Sequence, residues 1–136
     1  MAHSSDMRTK LARVKGLGAS HHAVGHWWWQ RVTALALVPL SLWFLASLLT
    51  ALMTPDVVKV AEWFASPLHA LPVALLAVAG FWHAKLGLQV VIEDYVHAPV
   101  PKYTLLLINA LGCFTLAAVC ILAVLKLHML EAAAGM

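Results

Sequence analysis

The chain has 136 residues, 62% of them hydrophobic and only 11% charged, with a mean hydropathy of +0.85 and a formal net charge of +3. That balance exceeds what the surface of a water-soluble domain tolerates, so the solvent for most of the chain is lipid. It leaves no room for a soluble catalytic domain, an internal repeat or a nucleotide-binding loop, so any soluble catalytic module belongs to another polypeptide.

Residues 1–26 form a polar tail carrying Arg8, Lys10, Arg13 and Lys15. The tail has no apolar core followed by a small-residue cleavage site, and so does not read as a signal peptide. Three charge-free stretches follow, from Val32 to Met53, from Leu68 to Trp82 and from Tyr103 to Leu125. About 20 residues rising 1.5 Å each cover the roughly 30 Å of a bilayer core. Inside lipid every backbone group must find a partner within the segment, so such spans are helices. The fold class is therefore all-α, with membrane helices at about 27–53, 67–96 and 102–128 inside a membrane domain covering 27–136. The second helix gains its length by running through His83 and Lys85 to Ile92. Pro39 removes a backbone hydrogen bond from the first helix and is expected to bend it.

Between the first two helices, TPDVVKVAEWFASP (54–67) mixes Asp56, Lys59 and Glu62 with Val57, Val60, Ala61 and Phe64, the pattern of a short amphipathic segment lying on the membrane. The second connection, HAPVPK (97–102), reads as a tight turn because of its two prolines. Basic residues crowd the first flank, ending at Arg31, whereas Lys59, Lys102 and Lys126 stand alone elsewhere. The positive-inside rule puts the N-terminus in the cytoplasm and, after three crossings, the C-terminus in the periplasm. The short tail favours a bacterial inner membrane over a mitochondrial one. The same asymmetry accounts for the net positive charge, with no need of nucleic acid. Trp27, Trp28 and Trp29 suit an aromatic belt at the inner interface.

Cys113 and Cys120 are seven apart on one face of the third helix and read as packing residues. His21, His22 and His26 lie in the tail without carboxylate or thiol neighbours, and His69, His97 and His128 fall near helix ends or in the turn. None of these asks for a metal. His83 is different, because an ionisable side chain well inside an apolar stretch is costly and faces protein or a cofactor. Asp94, 11 positions on, returns to within about 20° of the same face and lies about 16 Å further along the axis. Tyr95 is next to it, at headgroup level. Gly80 and Gly87 flank His83 and leave a slot that would admit a flat macrocycle, with His83 as an axial ligand of haem iron. The bland alternative is a packing histidine bonded to a neighbouring helix, with the glycines allowing close approach. Lys85, about 200° around the helix from His83, must snorkel or find a partner within a complex.

The stretch His83-Ala-x-x-Gly87 followed by Asp94-Tyr95-Val96 resembles the second helix of the small hydrophobic membrane anchor subunit of succinate dehydrogenase (respiratory complex II), a cytochrome b-type protein. Gln30-Arg31-Val32-Thr33-Ala34 is similar to the arginine-bearing start of that anchor's first helix. With the three spans and the basic tail, the resemblance covers most of the chain.

The resemblance implies three transmembrane helices in a bundle shared with a second, companion anchor subunit. By position, it implies that His83 is an axial ligand to haem b, with the opposite histidine supplied by that companion. Tyr95 would hydrogen-bond a ubiquinone carbonyl, Asp94 would lie beside the quinone and assist its protonation, and Arg31 would stand near the haem propionates and the quinone. A soluble flavoprotein subunit with its iron–sulfur partner subunit would oxidise succinate, linking the tricarboxylic acid cycle to electron transport. This chain would hold neither flavin nor cluster and would be an enzyme only as part of that succinate:quinone oxidoreductase. The alternatives are a fumarate reductase anchor, a purely structural anchor without haem or quinone contact, and a proton or solute relay using Lys85, His83 and Asp94.

Overall fold

In a computed structural model, residues 9–15, 21–53 and 56–134 are described. They form five helices: α1 (Lys10–Val14), α2 (His21–Leu52), α3 (Val57–Ala65), α4 (Pro67–Tyr95) and α5 (Pro99–Ala134). Strands are absent among the described residues. Three segments are long and apolar enough to cross a membrane: Val24–Leu52, Pro67–Tyr95 and Pro99–Leu130. At 1.5 Å per residue, the 29 residues of α4 extend about 44 Å, longer than the roughly 30 Å core, so the helix tilts or projects from it.

Helix ends show local chemistry at work. At the start of α3 the Asp56 carboxylate accepts from the Val58 amide at 3.0 Å, an N-cap that satisfies one orphan donor. Ser66 then adopts φ −59°, ψ 130°, as a residue before proline must, and Pro67 opens α4. Pro99 and Pro101, expected to hold 97–102 in a turn, instead lie in the first turn of α5. The first four amides of a helix have no intrahelical acceptor, so proline loses nothing there. α2 likewise begins at His21, six residues before Trp27, and continues helically through Pro39. Pro72 sits inside α4 and deprives the Leu68 carbonyl of its usual donor.

α4 is the central element, packed against α2 on one side and α5 on the other, while α3 rests on α4 and α5. An aromatic cluster fastens α3: Trp63 stacks on Trp43 of α2 at 5.7 Å and lies 4.5 Å from His69 of α4. His128 of α5 adds a tie by donating its Nδ1 hydrogen to the Ala65 carbonyl. Both histidines thus serve the attachment of the surface helix.

The buried apolar core consists of Ala65, Leu86 and Val124 alone, and Thr33 is the one buried polar residue among those described. Accessible surface totals 10,544 Å². A soluble protein of 14.8 kDa would expose about 7,000 Å². Most of the excess is apolar side chain on α2, α4 and α5, which lipid or other polypeptides must cover.

Candidate functional site

α2 and α4 run antiparallel. Thr33 Oγ1 lies 3.0 Å from His83 Nδ1, Cβ atoms built on Gly87 and Gly80 would meet Gln30 Nε2 and Leu37 Cδ2 at 3.9 and 3.8 Å, and the paired numbers fall as the others rise. That register sets Trp28 level with Gln89. His83 therefore lies about 9 Å deeper than the tryptophans, and Tyr95 about 9 Å beyond them on the other side.

His83 is half-buried against α2, and its hydrogen-bond partner is Thr33. The Thr33 hydroxyl also lies 2.8 Å from the Trp29 carbonyl and 3.1 Å from that of Gln30. His83 Nε2 has no hydrogen-bond partner among the described residues. Both glycines face α2, at ordinary van der Waals separation from its side chains. Close helix approach is their role here. Gly80 also borders open space, in a shallow cavity of about 270 Å³ lined by Leu76, Ala77, Gly80, Phe81 and Ala84, all of α4.

Asp94 and Tyr95 close α4 and are exposed, Tyr95 by 79%. Glu93 and Asp94 put two carboxylates in the last turn, where the helix dipole is negative, an arrangement costing about 0.3–1 kcal/mol per charge. Lys102 offsets part of it by donating from Nζ to the Glu93 carbonyl at 3.1 Å, and Gln89 donates to the Glu93 carboxylate at 2.8 Å. Asp94 has no such partner among the described residues.

Arg31 is exposed, and its guanidinium lies 4.5 Å from the centre of the Trp27 ring. Two residues before Thr33, it stands about 200° around α2 and faces away from α4. The chain by itself does not bring Arg31 to His83.

Lys85 faces α5, across the helix from His83. Its ammonium sits 5.3 Å from the ring centre of Trp82, one turn deeper, so it turns back over an aromatic face instead of snorkelling outward. Trp82 also meets Trp29 at 6.4 Å and Phe114 at 5.9 Å. The Lys85 carbonyl accepts from Asn109 Nδ2 at 2.9 Å, tying α4 to α5, and the Cys113 thiol bonds Asn109 in turn at 3.5 Å. With His83 and Lys85 on opposite sides of α4, a relay through both and on to Asp94 has no continuous path within the described residues. The side chains of His21 and His22 lie outside those residues, as do Arg8 and the side chain of Arg13.

Residues 5–125 match the model of a family described as succinate dehydrogenase/fumarate reductase transmembrane subunit. The chain belongs to that family. The succinate dehydrogenase hydrophobic membrane anchor subunit of Rickettsia bellii is 34% identical over 102 residues, spanning 75% of this chain and 81% of the relative. Its counterpart in Rickettsia conorii is 30% identical over 79% of this chain and 86% of its own length, and that of Paracoccus denitrificans 29% over 81% and 84%. No solved structure matches. As a member, the chain is a multi-pass membrane anchor of the succinate dehydrogenase kind.

From the sequence, His83 is expected to hold haem iron, and the surroundings of its ring can be set against that expectation. His83 is an imidazole on a membrane-spanning helix, held through one ring nitrogen with the other unengaged, and the same helix carries a shallow apolar cavity lined by Gly80 and Ala84 among others, which fits a haem ligand. No group of three or more His, Cys, Asp or Glu that could hold a bare metal ion occurs among the described residues. Sequence reasoning singled out His83 by its depth but gave Thr33, Trp82 and Asn109 no role. An amide in the third span carried the same signal as a histidine in the second, since both are expensive in hydrocarbon. Thr33 carried none, because threonine commonly satisfies its own hydroxyl on a helix.

Proposed function

We propose that this chain anchors a succinate dehydrogenase in a bacterial inner membrane, supplies His83 as one axial ligand of a b-type haem, and forms one wall of a ubiquinone-reduction pocket with Asp94 and Tyr95. The observation that carries the reading is the state of His83. Its Nδ1 is engaged by Thr33, while Nε2 meets no hydrogen-bond partner at membrane depth among the described residues. A neutral imidazole nitrogen left bare in hydrocarbon is costly unless something coordinates it or bonds to it. A companion anchor subunit would complete the protein ligation of the haem, which, when bound, would supply a one-electron acceptor near the quinone pocket.

The remaining chemistry belongs to this chain's own side chains. Ubiquinone takes up two electrons, delivered from succinate through the flavoprotein and iron–sulfur subunits, together with two protons. The Tyr95 phenol donates a hydrogen bond to one quinone carbonyl, polarising it as negative charge develops there. Asp94, exposed and next in sequence, passes protons from the aqueous surface to the reduced oxygen. Arg31, exposed on the face of α2 turned away from α4, would meet haem propionate or quinone only where another subunit brings them to that face. The positive-inside asymmetry puts this end of α4 in the cytoplasm, where a soluble electron donor docks.

Purifying the complex in mild detergent tests the reading. Wild type should give a reduced-minus-oxidised b-type spectrum, His83→Ala should lose or strongly perturb it, and Tyr95→Phe should assemble yet reduce quinone poorly. An unchanged haem spectrum in an assembled His83→Ala complex removes His83 as a ligand. Normal quinone reduction by Tyr95→Phe removes the phenol from the pocket.

A further inference from the structure

The hydroxyl of Thr33 stands among three groups at once: the Trp29 carbonyl at 2.8 Å, the Gln30 carbonyl at 3.1 Å and His83 Nδ1 at 3.0 Å. It has a single hydrogen to give. Both carbonyls are acceptors only, whereas the imidazole nitrogen can be either donor or acceptor. If the hydroxyl spent its hydrogen on Nδ1, that nitrogen would have to be bare and Nε2 would carry the ring hydrogen. Nε2–H would then point away from any acceptor among the described residues, inside the membrane. If the hydroxyl gives its hydrogen to Trp29, the shorter of the two carbonyl contacts, its lone pairs accept from Nδ1–H and Nε2 is left with a free lone pair. The second arrangement leaves no donor without an acceptor and keeps the Nε2 lone pair for the coordination proposed above.

We infer that Thr33 is a positioning residue that fixes His83 in the Nδ1–H tautomer and turns the Nε2 lone pair away from α2 for coordination. The inference rests on the haem reading given above. Thr33 is well placed for this because it is buried and bonded to its own helix, so its oxygen cannot swing away from the ring. An acceptor on the remote nitrogen raises the electron-donating power of a coordinating imidazole. That favours ferric over ferrous iron, so the hydroxyl holds the haem midpoint potential down.

The test uses the whole purified complex carrying Thr33→Val, Thr33→Ala or Thr33→Ser, read by haem content, low-spin EPR of the oxidised haem and midpoint potential. Valine keeps the shape and removes the acceptor, whereas alanine gives up the shape but removes the acceptor without placing a methyl group against the Trp29 and Gln30 carbonyls. Both should raise the potential, shift the EPR signal and weaken haem retention by about tenfold or more, the low end of losses typical for removed outer-shell partners. Serine should restore all three. If valine and alanine match wild type while His83→Ala loses haem, Thr33 has no such role and the ligand assignment stands. If serine is as perturbed as valine, the effect is packing, and the inference falls. A His83→Ala complex with unaltered haem overturns the ligand reading instead. If valine prevents assembly, the alanine and serine variants give the same decision.

Discussion

Tyr95 and Gly80 sit at opposite extremes of what a single residue contributes here. The Tyr95 side chain protrudes from α4 without a packing role in this chain, so deleting only its hydroxyl should leave assembly unaffected. Loss of one hydrogen bond that strengthens in the transition state corresponds to about 1–1.5 kcal/mol, so quinone reductase activity of Tyr95→Phe should fall about tenfold. Gly80 resembles a feature shaped around a cofactor, yet a Cβ there would rest 3.8 Å from Leu37, ordinary contact. Gly80→Ala should therefore retain haem and assembly. Alanine's helix preference, about 0.8–1.0 kcal/mol over glycine, should leave thermal stability unchanged or slightly raised. Loss of haem from Gly80→Ala would show that the ring approaches closer than α2 does. The same residues mark how far sequence reading reached. His83 stood out because an ionisable group deep in an apolar run is costly, whereas Asp94 and Tyr95, at the end of a span, also have the ordinary explanation of an interfacial tyrosine and a terminal acid. What lies against the glycines was not legible, because helix periodicity gives the side of a helix but not which neighbour occupies it.

At the scale of elements, α4 depends on polar contacts that hydrophobic patterning does not report. Asn109 holds α5 against α4 through the Lys85 carbonyl, which already accepts within its own helix and here uses its second lone pair. Asn109→Leu leaves that carbonyl its intrahelical bond but removes the interhelical one, at a cost of about 0.6–2 kcal/mol. Detergent-titration unfolding of the purified complex should show that loss, with the haem spectrum retained, since Asn109 lies on the side of α4 away from His83. Three spans and an amphipathic connector were readable from charge-free runs and one polar segment. The start of α5 was not, because a proline forbids helix only where its missing hydrogen would have been used, and Pro99 and Pro101 fall where it would not. Capping by Asp56 was also present in the sequence, since an aspartate before an amphipathic run is a standard beginning.

For the whole molecule, the basic tail makes a prediction about sidedness. Single cysteines replacing Lys59 and Lys102, in a chain lacking Cys113 and Cys120, should react from opposite sides of intact cells. The Lys59 position should be open to a membrane-impermeant reagent, and the Lys102 position should react only after the membrane is breached. The reverse pattern would move Asp94 and Tyr95 to the periplasmic face, where no cytoplasmic electron donor could reach them. The surface excess carries a different consequence. In a soluble protein, exposed positions are where substitutions accumulate freely. Here Leu88, Val91 and Leu107 are exposed only with respect to this one chain, and each is destined for lipid or for another polypeptide. The usual map of tolerance is inverted: solvent exposure marks the positions at which a charge would be rejected. Freedom to drift is confined to the tail and the loop ends, so the chain's evolutionary boundary is drawn by its surroundings rather than by a core of its own.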